Sequence, residues 1–538
     1  MDLINVHTVA KALLVLLAGY VVKVLTTFYK KRRALNGLPQ PPFSFAFGHL
    51  PIIGKLVSTL PANCHPHVLM HYLRNKYDLP PIFYVDTWPF GYSICVVVDP
   101  DVAFQVTVQR SLPKHEAASD VIWPLAGTKN LVSMDGPEHK RWRAIFNPGF
   151  SSAHLMTLVD GIVDDSLTFM DVLAEHAEAK DVFSLEEAAT RATVDIIGRV
   201  ALDTQMHAQT KENDFVSAFR SQLTWLLGSN ELNPLVIFNP MRRVVFAYNQ
   251  WRMDRFVSKV MDERFATRPG SKAINGSSKR NRPVIDLALD AYLEEEGNKS
   301  ATIDATFKRF AMDQIKIFMF AGHDTTSSTI CYIAYVLSKY PDAMEKVLQE
   351  YNQVFGNDVE QTAQRIKEDP YLLNKLPYSV AIIKEILRLY PPASSARMGQ
   401  PGFFLNYNGK QYPTEGFMVW PVSYALQRSP DLWPEPEKFI PERWLVKEGD
   451  PLFPIKGAWR PFEFGPRHCI GIELAMIETK IIMALMLRQF NIKAAYEELD
   501  AASGKEKLRT TPEGERAYQV LIATAKPSDG MPARVSRR

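Results

Sequence analysis

One cysteine in this 538-residue chain is placed as a reactive thiolate would be. Cys469 lies in Trp459-Arg-Pro-Phe-Glu-Phe-Gly-Pro-Arg-His-Cys-Ile-Gly471, a glycine-flanked turn directly before a long apolar helical pattern. Gly465 and Gly471 permit backbone conformations and close approaches that a side chain would block, so amide N–H groups can point at the sulfur. The helix beginning near Ile470 adds the positive end of its dipole, and both effects favour thiolate over thiol. A lone cysteine is more often a buried structural residue. His468 beside Cys469 also admits a cysteine-protease dyad, although adjacent side chains rarely face each other as base and nucleophile must.

Phe462, Gly465, Arg467, Cys469 and Gly471 stand in the order F-x-x-G-x-R-x-C-x-G, which resembles the heme-binding loop of the cytochrome P-450 family. The resemblance implies that Cys469 is the thiolate ligand of a heme b iron, a ligation that promotes O–O cleavage. A second motif, Phe320-Ala-Gly-His-Asp324-Thr325-Thr326, falls in a helical run expected over residues 306–339 and resembles the family's oxygen-activation motif. A small residue such as Gly322 lets a helix approach a flat cofactor, and a Thr hydroxyl can bond back to a preceding carbonyl and open the helix locally. The resemblance implies that Asp324 supplies protons and that Thr325 orients a water.

Lys384-Glu385-Ile-Leu-Arg388 places Glu385 and Arg388 one helical turn apart. Such a pair is usually a surface ion pair, but Phe439-Ile-Pro-Glu-Arg443-Trp follows it at the family's spacing. The resemblance then implies a structural triad of Glu385, Arg388 and Arg443 that braces the heme loop. Gly136-Pro-Glu-His139-Lys-Arg-Trp142-Arg143 opens a helix with His139 and Arg143 four apart on one face. By itself that is a solvated basic face. By resemblance it holds a heme propionate, because a carboxylate suits a bidentate guanidinium. His139 stands where many members carry Trp. Arg397 and Arg467 match further positions that contact the propionates.

These residues need a scaffold, and the pattern predicts a mainly α protein with small β-sheets. Helical spacing begins at residues 67–77, a strand pair is expected at 82–85 and 92–98, and short strands return between 401 and 422 and near the C-terminus. The resemblance implies the cytochrome P-450 fold behind a single N-terminal transmembrane helix. Residues 9–28 are about 20 mostly apolar residues, long enough to span a bilayer, and Tyr29-Lys-Lys-Arg-Arg33 should remain cytosolic. The expected organisation is an anchor and basic stop at 1–34, a proline-rich hinge at 35–50 that includes Leu38-Pro-Gln-Pro-Pro42, and a catalytic domain at 51–538. Apolar stretches at 223–227 and 232–238 suggest a lid or membrane-facing edge, and 268–282 reads as an exposed loop.

Composition limits the alternatives. A net charge of +3 is too small to imply nucleic acid, and the four separated cysteines suggest neither a zinc site nor a disulfide framework. The sequons at Asn275 and Asn298 are expected to be unmodified on a cytosolic domain. The resemblance implies a monooxygenase of the endoplasmic reticulum membrane that uses dioxygen on an apolar small molecule, plausible for secondary metabolism. No G-x-G-x-x-G turn or flavin domain is present, so electrons are expected from an NADPH-dependent flavoprotein reductase. Lys456, Arg460 and Arg467 are candidates for its docking face, and Trp123, Trp225, Leu226, Phe318, Phe320 and residues 393–396 for the pocket wall. A heme-thiolate isomerase or dehydratase and a non-catalytic heme sensor are the competing readings, and the intact Asp324-Thr325 pair argues against both.

Overall fold

The structure is a computed structural model that describes residues 6–61, 63–226, 239–266, 283–295, 303–503 and 510–538. The expected apolar stretch 232–238, the loop 268–282 and both sequons lie outside the described residues.

Helix α1 (Val6–Ala34) is long and apolar enough to cross a membrane, and its residues from Leu13 to Leu25 project from the body largely exposed. Its last turns behave differently. Arg32 is fully buried, ion-paired with Asp86, and its Nη2 donates to the Trp88 carbonyl at 3.0 Å. The Phe28 ring meets Phe45 at 5.4 Å and Trp88 at 6.0 Å, so the helix is sewn to the domain at its C-terminal end.

The remaining helices that matter for the site are α2 (Glu116–Ala126), α3 (Gly136–Phe146), α4 (Val159–Ala179), α5 (Leu185–Leu202), α6 (Asp214–Thr224), α7 (Pro240–Ala266), α8 (Ala305–Lys339), α9 (Pro377–Leu389) and α10 (Ile472–Gln489). At 35 residues α8 is about 50 Å long and runs through the middle of the body. Asp304 starts it by accepting the Phe307 N–H at 2.9 Å. From Ala311 onward nearly every residue of α8 is buried whichever way it points, as expected of a helix covered on all sides. It packs between α5 and α10, and the large apolar core condenses around it.

A second, sheet-rich core holds β1 (Ile82–Asp86), β2 (Ser93–Val97), β3 (Arg397–Met398) and β4 (Met418–Pro421) in the order β1-β2-β4-β3. The β1–β2 hairpin pairs antiparallel with Ile82 opposite Val97, and β2 runs parallel to β4. Both hairpin strands are buried throughout, which explains their runs of Ile, Val and aromatic residues. The hairpin of β5 (Gln519–Ile522) and β6 (Thr524–Pro527) reaches back over α8 from near the C-terminus. On the outer face of α7, Met241, Val244, Tyr248 and Trp251 form an exposed apolar stripe at three- and four-residue spacing.

The buried Arg32–Asp86 pair yields a test. A chain lacking residues 1–31 keeps the pair, whereas one lacking 1–34 leaves a buried carboxylate without its cation. The shorter chain should be destabilised relative to the longer by about 3–5 kcal/mol, read as a lower midpoint in urea unfolding. Equal midpoints would show that Arg32 contributes nothing to the body.

Candidate functional site

The thiolate loop is held from three sides. Cys469 N–H donates to the Phe462 carbonyl at 2.9 Å and His468 N–H to Gly465 at 3.1 Å, closing the turn on itself. Arg143 of α3 donates through Nη1 to the His468 carbonyl at 2.8 Å and through Nη2 to His468 Nε2 at 3.0 Å. Gly465 sits at φ +83°, and a Cβ there would lie 2.3 Å from the Thr107 carbonyl oxygen, so only glycine fits. Gly471 does not share this need: its φ is −91° and a Cβ would meet Cys469 Sγ at an ordinary 4.0 Å. The expectation that both glycines are sterically required therefore holds for Gly465 alone. Burial raises the Cys469 thiol above its usual range, opposed by the Gly471 N–H and the positive Arg143.

Cys469 opens onto a cavity of about 440 Å³. Much of its wall is apolar, with Ile122, Ile317, Phe320, Ala321, Ile383 and Leu521. To one side lie Lys114, Arg460, Arg467 and Glu463. Phe320 and residues 393–396 line it as expected. Trp123, Trp225, Leu226 and Phe318 are not part of its wall. Phe318 instead packs edge-on against Phe146 and Phe150 at 4.9 and 5.1 Å, on the side of α8 turned to α3.

The cation cluster tests whether heme fits. Arg397 is fully buried, yet its Nε and Nη2 find no partner among the described residues. Its only side-chain bond goes to the Leu112 carbonyl at 3.3 Å. Around it, four cations, Lys114, Arg397, Arg460 and Arg467, face two carboxylates, Asp135 and Glu463. Burial, aided by the positive neighbours, pushes Lys114 well below its usual value, lowers Arg397 to about 10 and lowers His139 to about 4. Three arginines and Lys114 against two carboxylates leave the cluster short of negative charge, and the propionates of heme b would supply it. The fit is therefore good.

The cluster also corrects three roles expected from sequence. Arg460 is almost fully buried, bonded to Thr107 Oγ1 at 2.8 Å and to Glu463, and Arg467 is ion-paired with Asp135. Neither can belong to a docking face, which leaves Lys456 exposed. Arg143 is satisfied by His468 and by Asn147 Oδ1 at 2.6 Å, so here it braces the cysteine loop. Lys114, which sequence reasoning missed, is the cation that enters the cavity instead. Trp142, one residue before Arg143, stacks with Phe146 and Phe307 in the core.

On α8 the four residues Ile317, Ala321, Thr325 and Thr329 share the face that lines the cavity. Thr325 Oγ1 bonds back to the Ala321 carbonyl at 3.0 Å, as expected, but the helix continues unopened. Gly322 faces away: a Cβ would lie 2.7 Å from Ile197, so its smallness serves the packing of α5, and Ala321 is the small residue at the cavity. Asp324 is also turned from the cavity. It is fully buried, 2.7 Å from Lys526 Nζ, and it accepts the hydroxyl of Thr524. Burial alone would lower the Lys526 pKa, but Asp324 and Glu186 together raise it. Thr524 lines the cavity, so this residue of β6 connects Asp324 to it.

The expected triad is assembled with no solvent access. Arg388 pairs with Glu385 through Nη2 at 2.8 Å and Nε at 3.0 Å, and Arg443 Nε reaches the same carboxylate at 3.3 Å. Trp444 Nε1 adds a fourth donor at 3.1 Å. The link to the cysteine loop comes from residues that no motif flagged. Gln427 Oε1 accepts Arg460 N–H at 2.7 Å while its Nε2 donates to Leu387 and Arg388 carbonyls, and Trp459 Nε1 donates to Lys384 at 3.0 Å.

Fold and site together bring a cysteine-bearing loop, a buried cluster of cations and a largely apolar cavity into one place, as a thiolate-ligated cofactor with carboxylate arms would need. The comparisons agree. The family model described as cytochrome P-450 matches residues 39–515. The cytochrome P-450 monooxygenase polC of Polytolypa hystricis is 39% identical over 99% of this chain and 96% of that protein. The monooxygenase acrF of Aspergillus aculeatus is 35% identical over 88% of this chain and 98% of its own length. A crystal structure of a cytochrome P-450 heme domain superimposes with a TM-score of 0.70 at 20% identity, covering 93% of this chain and 98% of that one. This chain belongs to the cytochrome P-450 family and is a P-450 monooxygenase, and the family implies a heme-thiolate cofactor.

One buried acid beside α8 escaped the sequence reading. Glu478 of α10 accepts the Thr326 hydroxyl at 2.6 Å, and burial raises its carboxyl from 4.5 to about 8. The folded chain thus holds a proton that the unfolded chain releases, so Glu478 costs no stability at low pH and costs more as pH rises from about 4.5 toward 8. Glu478→Gln should match wild type near pH 5 and exceed it increasingly toward pH 8, by about 1.4 kcal/mol for each unit within that window. A pH-independent gap in denaturation midpoints would reject the buried acid.

Proposed function

We propose that this monooxygenase inserts one atom of dioxygen into an apolar small molecule, by hydroxylation or epoxidation, in secondary metabolism. The observation that carries the reading is the largely apolar cavity onto which Cys469 opens, with Thr325 in its wall. Heme b, when bound, activates dioxygen so that one oxygen atom enters the substrate and the other leaves as water. Cys469 would ligate the iron. Arg397 and Lys114 would take the propionates with Arg467 and neutral His139, the first through the two guanidinium nitrogens that are otherwise idle. Phe462, Gly465 and Gly471 shape the loop beneath.

The chain's own work is then positional and protonic. The aliphatic wall excludes water and holds a substrate near the sulfur's axis. Thr325 offers a hydroxyl oxygen at the cavity, its proton donated to Ala321. Asp324, held by Lys526, communicates with the chamber through the Thr524 hydroxyl, and Glu186, His323 and Lys526 border a second cavity of about 150 Å³ on the other side of α8. Protons are drawn from that side and delivered past Thr524 and Thr325.

Electrons come from an NADPH-dependent flavoprotein reductase. Lys456 and the exposed Lys140 and Arg141 of α3, the helix that touches the cysteine loop, form its docking face. Residues 1–34 anchor the enzyme in the endoplasmic reticulum membrane and 51–538 form the cytosolic catalytic domain, with 35–50 a stiff connector held to the body on both sides by Arg32 and His49. The exposed aromatic and aliphatic stripe of α7 supports a membrane contact besides the anchor.

Two measurements test this reading. Cys469→His should abolish the carbon monoxide difference band of thiolate-ligated ferrous heme. Persistence of the band would remove Cys469 as the ligand. Thr325→Ala, supplied with reductase and substrate, should keep its heme and most NADPH oxidation while product falls by about 10²- to 10⁴-fold, the missing reducing equivalents appearing as hydrogen peroxide. Parallel loss of NADPH oxidation and product would reduce Thr325 to a packing residue.

A further inference from the structure

The chamber contains a polar group that the oxygen chemistry does not use. His65 precedes the helix Pro66–Lys76 and lies nine-tenths buried in the wall shared with Thr524, Leu521 and Pro392. Its Nδ1 accepts the His67 backbone N–H at 3.1 Å, capping the helix. An acceptor nitrogen cannot carry the proton, so in the neutral ring the hydrogen sits on Nε2. Burial holds the pKa of His65 near 3, and the ring therefore stays neutral at physiological pH. The backbone around it is fixed as well: His65 N–H donates to the Gln519 carbonyl of β5 at 2.8 Å, and the ring rests on His67 with centroids 3.8 Å apart.

No described residue accepts a hydrogen bond from His65 Nε2, although the ring lines the chamber. The threonine hydroxyls along α8 and at Thr524 are committed as donors, whereas those of Ser394 and Ser395 are seen only as acceptors. Thr325 donates to Ala321, Thr326 to Glu478, Thr329 to Thr325 and Thr524 to Asp324, while Ser394 and Ser395 accept from Trp420 and Lys114. His65 thus presents a pre-oriented neutral N–H at the surface of a largely apolar wall, where a ligand oxygen can accept it.

We propose that His65 Nε2–H is the substrate's polar anchor, and that the substrate is an apolar skeleton already bearing one neutral oxygen function, a ketone or hydroxyl. This rests on the reading of the chamber as the substrate site of a heme-thiolate monooxygenase. A neutral donor suits a carbonyl or hydroxyl oxygen and gives a carboxylate no countercharge. It also places the enzyme after a reaction that has introduced the first oxygen into the skeleton.

The test uses the full-length heme-loaded protein and two rigid probes, 5α-androstane and 5α-androstan-3-one, read by the substrate-induced spin-state shift of the heme. Wild type should bind the ketone about five- to tenfold more tightly than the hydrocarbon, the range expected of one neutral hydrogen bond. His65→Asn keeps an oxygen that can cap His67 but withdraws the donor from the chamber, and the preference should vanish while hydrocarbon affinity stays. His65→Gln restores a donor at the reach of Nε2, and the preference should return. Retention of the preference in His65→Asn, or its absence in wild type, overturns the anchor. If neither probe shifts a heme that still shows the thiolate band, the apolar-chamber reading itself fails. If the thiolate band is absent, the cysteine assignment fails first.

Discussion

One carboxylate, Glu385, makes the rest of the site possible. Two arginines lie beside it with no access to water, and each would be prohibitively costly to bury alone. With Glu385 in place, Arg388 has donors left over, and it spends them on the carbonyls of Gln427, Pro436 and Lys438. A long irregular segment is thereby fixed to α9. Gln427 then fixes Arg460 at the entrance to the cysteine loop, and Trp459 is tied to Lys384 on the same helix. The position of Cys469 is therefore referred to a helix rather than to a free loop, which is what a ligand-bearing turn requires.

The same logic, with the sign left open, governs the cation cluster. Asp135 and Glu463 answer only part of the charge on Lys114, Arg397, Arg460 and Arg467. An anionic guest in the cavity, such as the cofactor that the family implies, would answer the remainder. The folded chain and its cofactor are thus coupled: binding the guest discharges a penalty already present in the fold. The apolar wall of the cavity belongs to the opposite regime, where nothing but area and shape is offered, apart from His65.

Much of this was legible in the sequence. The helix at 305–339, the strand pair and the Glu385–Arg388 pair are short-range patterns set by spacing, whereas Arg443 and the role of the Cys469 loop were legible only through the family resemblance. What the sequence hid depends on encounters between distant segments. Lys114, Gln427, Thr524 and Lys526 carry no local signal, because a lone Lys or Thr in a loop or strand looks the same whether it meets solvent or a buried partner. The orientation of small residues was likewise hidden: Gly322 and Ala321 are neighbours in one motif, yet one meets Ile197 and the other meets the chamber. The docking-face reading of Arg460 and Arg467 failed for a related reason, since charge near a loop says nothing about which way it is folded in.

The geometry of α8 accounts for the part played by the C-terminal hairpin. Successive residues on an α-helix point about 100° apart, so Asp324 and Thr325, adjacent in sequence, leave α8 in different directions. Thr325 takes the chamber and Asp324 is rotated into the protein, where it needs a cation, and Lys526 of β6 supplies it. Placing Lys526 there brings Thr524, two residues earlier on the same strand and hence on the same side, into contact with Asp324. The hairpin tip that carries Leu521 and Ala523 is then fixed against the chamber as well. One ion pair thus couples the placement of Asp324, the lining of the cavity and the Thr524 hydroxyl that connects them, so a change at β6 must be felt on both sides of α8.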